Sequence, residues 1–273
     1  MRRTLVTGLN EAVARGRLVR NPAKLAVRHR QVEPEIEPLS IEDARTILTG
    51  ATDERNGLAW VIAVSLGLRR GEVLGLRWDD VDLAEGTLTV RRALSRLPWR
   101  HGCDGTCGRK RGAECPDRHG GGLVFDEPKS RAGHRTLVVP APLVAGLKVH
   151  RQRQVEDQLQ AEWWDETGLV FSDAWGRPLD PDRHTKAWNA FLDRCGVRQA
   201  RLHDARHTAA TLLLVQGVDP RVVMDLMGWS HVAMTKRYQH VVPELRRVAA
   251  ERMTEALWPT TATRTATRDG DAG

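Results

Sequence analysis

Met227-Gly-Trp-Ser-His-Val-Ala-Met-Thr-Lys-Arg-Tyr-Gln-His240 contains Tyr238, the sole tyrosine among 273 residues. Trp229 stands nine residues before it, and Lys236 and Arg237 lie directly beside it. A phenol among cations suits a nucleophile aimed at a phosphate. Most tyrosines, however, are half-buried residues that only fill space, so the stretch alone does not decide between the two. What precedes it does.

Leu202-His203-Asp204-Ala205-Arg206-His207-Thr208 reads as the opening of a helix. Three residues apart, His203 and Arg206 share one helical face. The free N–H groups of a helix start favour an anion. Arg offers a bidentate fork to phosphate, and His moves protons near neutral pH. Arg69 and Glu72 repeat the spacing in Gly67-Leu-Arg-Arg-Gly-Glu72, after an apolar helix and a glycine turn. A carboxylate there would give the guanidinium a fixed direction. Taken separately, both pairs have a bland alternative, an inert surface pair worth well under about 1 kcal/mol. Lys129 sits in the tight connection Pro128-Lys-Ser-Arg-Ala-Gly133, read as joining two paired strands, where most lysines are simply solvated.

Composition narrows the class of partner. The net charge of +7 and a pI near 9.7 suit a polyanion, and the absence of a basic amphipathic helix with a broad apolar face favours nucleic acid over a membrane surface. No run of eighteen apolar residues occurs, and Asn10 and Glu11 interrupt the N-terminal apolar run, so neither a membrane span nor a signal peptide is expected. Three of the four cysteines crowd between 103 and 115; without an export signal, that favours reduced thiols and a metal over disulfides. The expected location is cytoplasmic and nucleoid-associated.

The periodicities predict a mainly α chain with a small antiparallel β-sheet (α+β). Helices are expected over 4–19, from an N-cap at Ser40, over 56–66, 142–162, 182–195, 203–216, 220–227 and 243–258. Strands are expected over 80–83, 87–94, 122–126 and 136–139, together forming one sheet.

In order, the chain carries Gly-Leu-Arg-x-Gly-Glu, a turn lysine, His-x-x-Arg, and Gly-Trp followed by tyrosine. That series resembles the catalytic domain of the tyrosine recombinases, the phage integrase family, over about residues 38–258. The resemblance implies that Arg69 and Arg206 grip the scissile phosphate and that His203 takes the Tyr238 proton. It makes Lys129 the general acid for the departing 5′ oxygen and Glu72 a brace for the site. Trp229 stands where the family has His or Trp; its indole N–H can donate to phosphate but cannot titrate. Tyr238 would form a 3′-phosphotyrosyl bond that conserves the bond energy, so neither ATP nor a catalytic metal is required. The implied partner is double-stranded DNA. The implied assembly is a tetramer exchanging its C-terminal helix, with an accessory directionality factor and no membrane, and the activity is integration or excision of a mobile element. The competing readings are a catalytically impaired DNA-binding remnant and a type IB topoisomerase.

Two features depart from the family pattern. Residues 1–22 read as a remnant of an N-terminal core-binding domain, which makes the start look truncated. A linker at 23–39 leads to the catalytic domain at 40–258, and 259–273 reads as a disordered tail. Second, residues 98–121 form a Cys/His-rich insertion in which Cys103, Cys107, Cys115 and His119 make a sufficient set for structural zinc, the alternative being a disordered basic loop.

Overall fold

A computed structural model describes residues 2–25, 37–128, 131–230 and the single positions 247, 250, 251, 253, 254 and 257. Lys129, Tyr238, most of 243–258 and all of 259–273 lie outside the described residues. The chain forms two compact units, Met1–Glu35 and Ile36–Gly273.

The first unit is helix α1 (Arg2–Ala14) and a short 3-10 turn at Pro22–Lys24. The helix ends earlier than expected: Gly16 takes a left-handed conformation, and Arg17 N–H returns to the Ala12 carbonyl. The Asn21 amide donates to the Val6 carbonyl and to Asn10 Oδ1, at 2.9 and 2.8 Å, tying the returning chain to the helix.

The second unit is mainly helical with small antiparallel sheets. Helix α2 (Ile41–Gly50) starts where expected, because the Ser40 hydroxyl caps Asp43 N–H and the Asp43 carboxylate caps Ser40 N–H. Helix α3 (Gly57–Leu66) is apolar on nearly every side and buries Ala59, Trp60, Ile62, Ala63 and Val64. A helix with no polar face must be enclosed, and α2, α5 (Ala141–Gln160) and α7 (Leu202–Val215) pack around it. Trp60 stacks on Phe191 of α6 (Pro181–Arg194) with centroids 4.6 Å apart. Short helices α4 (Arg70–Leu74) and α8 (Pro220–Met227) also belong to the helical part. Among the described residues, no helix is long and apolar enough to cross a membrane.

Two sheets replace the single sheet that was expected. Strands β1 (Val81–Asp82), β2 (Thr87–Val90) and β5 (Arg135–Val138) form one, in the order β1-β2-β5, with Leu88 opposite Leu137. Strands β3 (Ala93–Leu97) and β4 (Gly122–Asp126) form the other, with Leu94 opposite Phe125. The strand expected over 87–94 is broken because Arg91 and Arg92 turn back to the buried carboxylate of Asp80. A buried carboxylate needs such partners. As a consequence, β4 and β5 pair with different strands, and the expectation that 128–133 joins two paired strands is corrected. Residues 131–133 form a 3-10 turn instead.

Candidate active site

The C-terminal end of α8 organises the site. Gly228 adopts φ +60, and Trp229 N–H returns to the Met224 carbonyl at 2.9 Å, closing the helix with a left-handed glycine turn. A helix end leaves carbonyls without an intrahelical partner. Here three successive ones receive guanidinium groups. Arg135 Nε donates to Leu226 O at 2.7 Å, Arg206 Nη2 to Met227 O, and Arg69 Nη2 to Gly228 O at 3.3 Å. Cations are also what the negative end of a helix dipole favours. One helix terminus thereby gathers arginines from α7, from β5 and from the α3–α4 turn.

Each arginine has a second anchor. Arg206 is 2% exposed, and its Nη1 donates to the carbonyl of Gly67, the left-handed residue that ends α3, at 2.5 Å. Its guanidinium also lies 5.8 Å from the centre of the Trp229 ring. Arg69 precedes α4; its Nη1 reaches Glu72 Oε1 at 2.6 Å, and its backbone N–H reaches Glu72 Oε2 at 2.9 Å. Glu72 is buried, which by itself would raise its pKa; the hydrogen bond and charge of Arg135, then those of Arg69, overcome this and hold the carboxyl below its ordinary value. It is therefore an anion that braces two cations.

His203 projects from the first turn of α7 and is exposed, while its ring meets the buried ring of His207 edge-on at 4.8 Å. Lost hydration on its protein side, then the Arg206 charge, press its pKa below the ordinary imidazole value, with Arg201 and Arg69 adding and Asp204 opposing. Such a ring is neutral at neutral pH and can accept a proton. The turn that carries it is set by Asp204, whose carboxylate caps Arg201 N–H at 2.9 Å.

Of the residues singled out in the sequence, Arg69, Glu72, His203, Arg206 and Trp229 come together. Trp229 is buried with Ala209, Ala210, Leu214, Val223 and Met227. Arg135 and His207 were missed. Arg135 begins a four-residue strand, so no periodic pattern marks it; a cation six residues beyond Lys129 was the available signal. His207 directly follows Arg206 and was readable as part of the same helix start.

The Cys/His set also changes. His101, Cys103, Cys107 and Cys115 form the cluster, and His119 is not a member. The main chain of His119 instead bridges Arg100, with Arg100 N–H on His119 O at 2.9 Å and the reverse bond at 3.1 Å. That bridge places the adjacent His101 at the thiols.

A protein-family model described as the phage integrase family matches residues 141–245. The chain is 40% identical to an integrase of Saccharopolyspora erythraea, over 94% of this chain and 66% of that one. It is 31% identical to a XerC-like tyrosine recombinase of Caldanaerobacter subterraneus subsp. tengcongensis, over 92% of this chain and 64% of that one. The chain thus spans just under two thirds of these relatives' length. Among solved structures, the Tn1549 transposon integrase in complex with transposon right end DNA has a TM-score of 0.68 at 21% identity, covering 93% of this chain and 78% of that one. XerA recombinase has a TM-score of 0.55 at 21% identity, covering 88% and 70%. At such identities the likeness concerns the fold.

Proposed function

Because this chain belongs to the phage integrase family of tyrosine recombinases, we propose that it is a site-specific DNA recombinase acting through a 3′-phosphotyrosyl intermediate in the integration or excision of a mobile element. One observation carries the reading. Arg69 and Arg206, 137 positions apart in the sequence, are both anchored at the end of α8, where the chain runs on toward Tyr238.

In the proposed reaction the two guanidinium groups bind the scissile phosphate and stabilise charge on its non-bridging oxygens as phosphorus becomes pentacoordinate. Their backbone anchors and the Glu72–Arg135 brace set them in place before DNA arrives. An unperturbed phenol titrates near 10, so attack at neutral pH needs a base. His203, held neutral, takes the Tyr238 proton as the phenolic oxygen bonds to phosphorus. The 5′ oxygen leaves with a proton from Lys129. Rejoining reverses the sequence: a 5′-hydroxyl attacks the phosphotyrosine, and Tyr238 is released. Trp229 lies against Arg206 and supplies an indole N–H toward the phosphate. Bond energy is conserved in the covalent intermediate, so the chemistry calls for no ATP, and the cations fill the electrostatic role a metal plays elsewhere. A metal held by the Cys/His cluster would be structural.

The proposed partner is double-stranded DNA, as the charge of +7 suits and as the DNA-bound transposon integrase illustrates for a protein of this fold. Recombination on two duplexes calls for a homo-tetramer, with C-terminal helix exchange between protomers and an accessory directionality factor. Residues 1–22 would serve as part of a DNA clamp, 23–39 as its linker and 40–258 as the catalytic domain.

The test is a suicide-nicked duplex carrying the attachment site, resolved on denaturing gels. A covalent protein–DNA adduct from the wild type that is lost in Tyr238→Phe supports the proposal. Duplex binding without adduct at any salt concentration refutes it, and leaves a DNA-binding protein without cleavage activity.

A further inference from the structure

The insertion between β3 and β4 contains little that could hold it together by burial. Of residues 98–121 only Cys115 is buried, at 3% exposure, and the rest is rich in glycine and charge. Yet it closes on one point. His101 Nδ1 lies 3.4 Å from Cys107 Sγ and 3.9 Å from Cys103 Sγ. With Cys115 Sγ the four ligand atoms all fall within 4.8 Å of one another. All three thiols are free.

Those separations have a chemical meaning. A tetrahedral zinc ion bound at about 2.3 Å to sulfur and about 2.0 Å to nitrogen holds its sulfur and nitrogen ligands about 3.5 Å apart. The two observed N–S distances bracket that value. The backbone is shaped for the same end. Between Cys103 and Cys107 the chain turns through Asp104 at φ +47, the only non-glycine residue with positive φ among those described, and Gly105 at φ +87. Thr106 closes the turn, its N–H and hydroxyl both donating to Cys103 O at 2.9 and 2.7 Å. An unfavourable backbone conformation persists where surrounding constraints impose it, and here it aims two thiols the same way.

We propose that His101 Nδ1 and the thiolates of Cys103, Cys107 and Cys115 bind one Zn²⁺ in a closed, four-coordinate structural site that folds the insertion. Three thiolates and a neutral imidazole around a dication carry one net negative charge. Arg100, Arg109, Lys110, Arg111 and Arg118 of the same insertion balance it. All four positions are taken by protein, so no place is left for a reacting water. This inference stands apart from the recombinase proposal, since it involves none of the residues assigned to DNA cleavage.

The experiment uses the full chain. Elemental analysis of protein purified with zinc present should give about one zinc per chain, as a single four-ligand site requires. After removal by a chelator, titration with Co²⁺ should develop thiolate-to-cobalt charge-transfer absorption and strong visible bands of a tetrahedral ion, saturating at one equivalent. Cys107→Ser should lower zinc content and shift the cobalt spectrum. His101→Ala should weaken binding by more than the roughly 10–100-fold seen when only an outer partner of a ligand is lost, while His119→Ala leaves the spectrum unchanged. No zinc and no charge-transfer band in the wild type would overturn the proposal without recourse to any variant. A spectrum that responds to His119→Ala and not to His101→Ala would overturn the ligand assignment.

Discussion

Glu72 and Arg135 form a two-point buried pair: Arg135 Nη2 donates to Glu72 Oε2 at 2.9 Å and Nη1 to Oε1 at 3.3 Å, with both side chains under 8% exposed. The pair joins α4 to β5. Through the Arg135 Nε bond to Leu226 it joins both to α8, and through Glu72 it sets the direction of Arg69. Removing Arg135 leaves the buried carboxylate with only the half-exposed Arg69 to balance it. Arg135→Met should therefore destabilise the protein by up to about 3–5 kcal/mol, the range for breaking a buried ion pair from one side. Glu72→Gln combined with Arg135→Met should cost less than the sum of the two single changes, because no buried carboxylate short of a partner remains. Urea denaturation of the three variants measures this. A loss below about 1 kcal/mol for Arg135→Met, the range for exposed pairs, would mean the brace does not exist in solution.

The same carboxylate gives a pH dependence. Glu72 has a folded pKa below its ordinary value of 4.5, so it binds a proton more readily when unfolded. Its contribution to stability is then fully present above about pH 4.5 and is lost as pH falls through the lower, folded value. Denaturation midpoints followed downward from pH 6 should decline more steeply in the wild type than in Glu72→Gln. Parallel acid limbs for the two proteins would remove Glu72 as the source.

Much of this framework was legible in the sequence, and what escaped was long-range. The Ser40–Asp43 cap, the all-round apolar α3, and the helix start at Leu202 each follow from residues within one or two turns. Strand partnership does not. Thr89 pairs with Thr136, and Leu94 with Phe125, and no local pattern says which strand meets which. Arg91 and Arg92 read as strand residues until Asp80, eleven and twelve positions earlier, claims them. Arg135 escaped for the same reason, since only the folded chain puts it beside Glu72. His119 completes the ligand set in the sequence, whereas the fold brings His101 to the three thiols, a tertiary feature that no local pattern marks.

Gly67 and Gly228 should resist substitution for reasons separable from the chemistry. Both stand at left-handed φ, +64 and +60, where a Cβ costs about 1–2 kcal/mol. The Cβ would also meet the Met227 methyl at 2.6 Å in one case and the Ala132 carbonyl oxygen at 2.7 Å in the other. Met227 is a flexible side chain and can move; a backbone oxygen cannot as readily. Gly228→Ala should thus lower Tm more than Gly67→Ala, each kcal/mol corresponding to about 2–4 °C at this size. Both changes should slow DNA cleavage, because the carbonyls that orient Arg69 and Arg206 shift. Gly8→Ala, in α1 with nothing within 4 Å of the added carbon, is the control and should be neutral or stabilising by up to about 1 kcal/mol. Thermal scans rank the three, and equal Tm values would contradict the geometry.

His203 carries the prediction closest to the chemistry. A base must be unprotonated to accept the Tyr238 proton, and His203 is held below its ordinary pKa of 6.5 by lost hydration and by Arg206. Between the folded pKa and 6.5 an unperturbed imidazole would be mostly charged, whereas this one stays neutral. Single-turnover adduct formation should therefore remain level as pH falls past 6.5 and drop only below the depressed value. Arg206→Lys retains a positive charge but loses the fork that bonds both Gly67 and Met227. The loss of that phosphate grip should slow cleavage by about 10²–10³-fold, as for other preorganised donors. His203→Gln removes the titrating group, so the acid limb should vanish while a slower, pH-independent cleavage remains in that range. Should the acid limb persist unchanged in His203→Gln, the proton goes to another group and the role assigned to His203 is wrong.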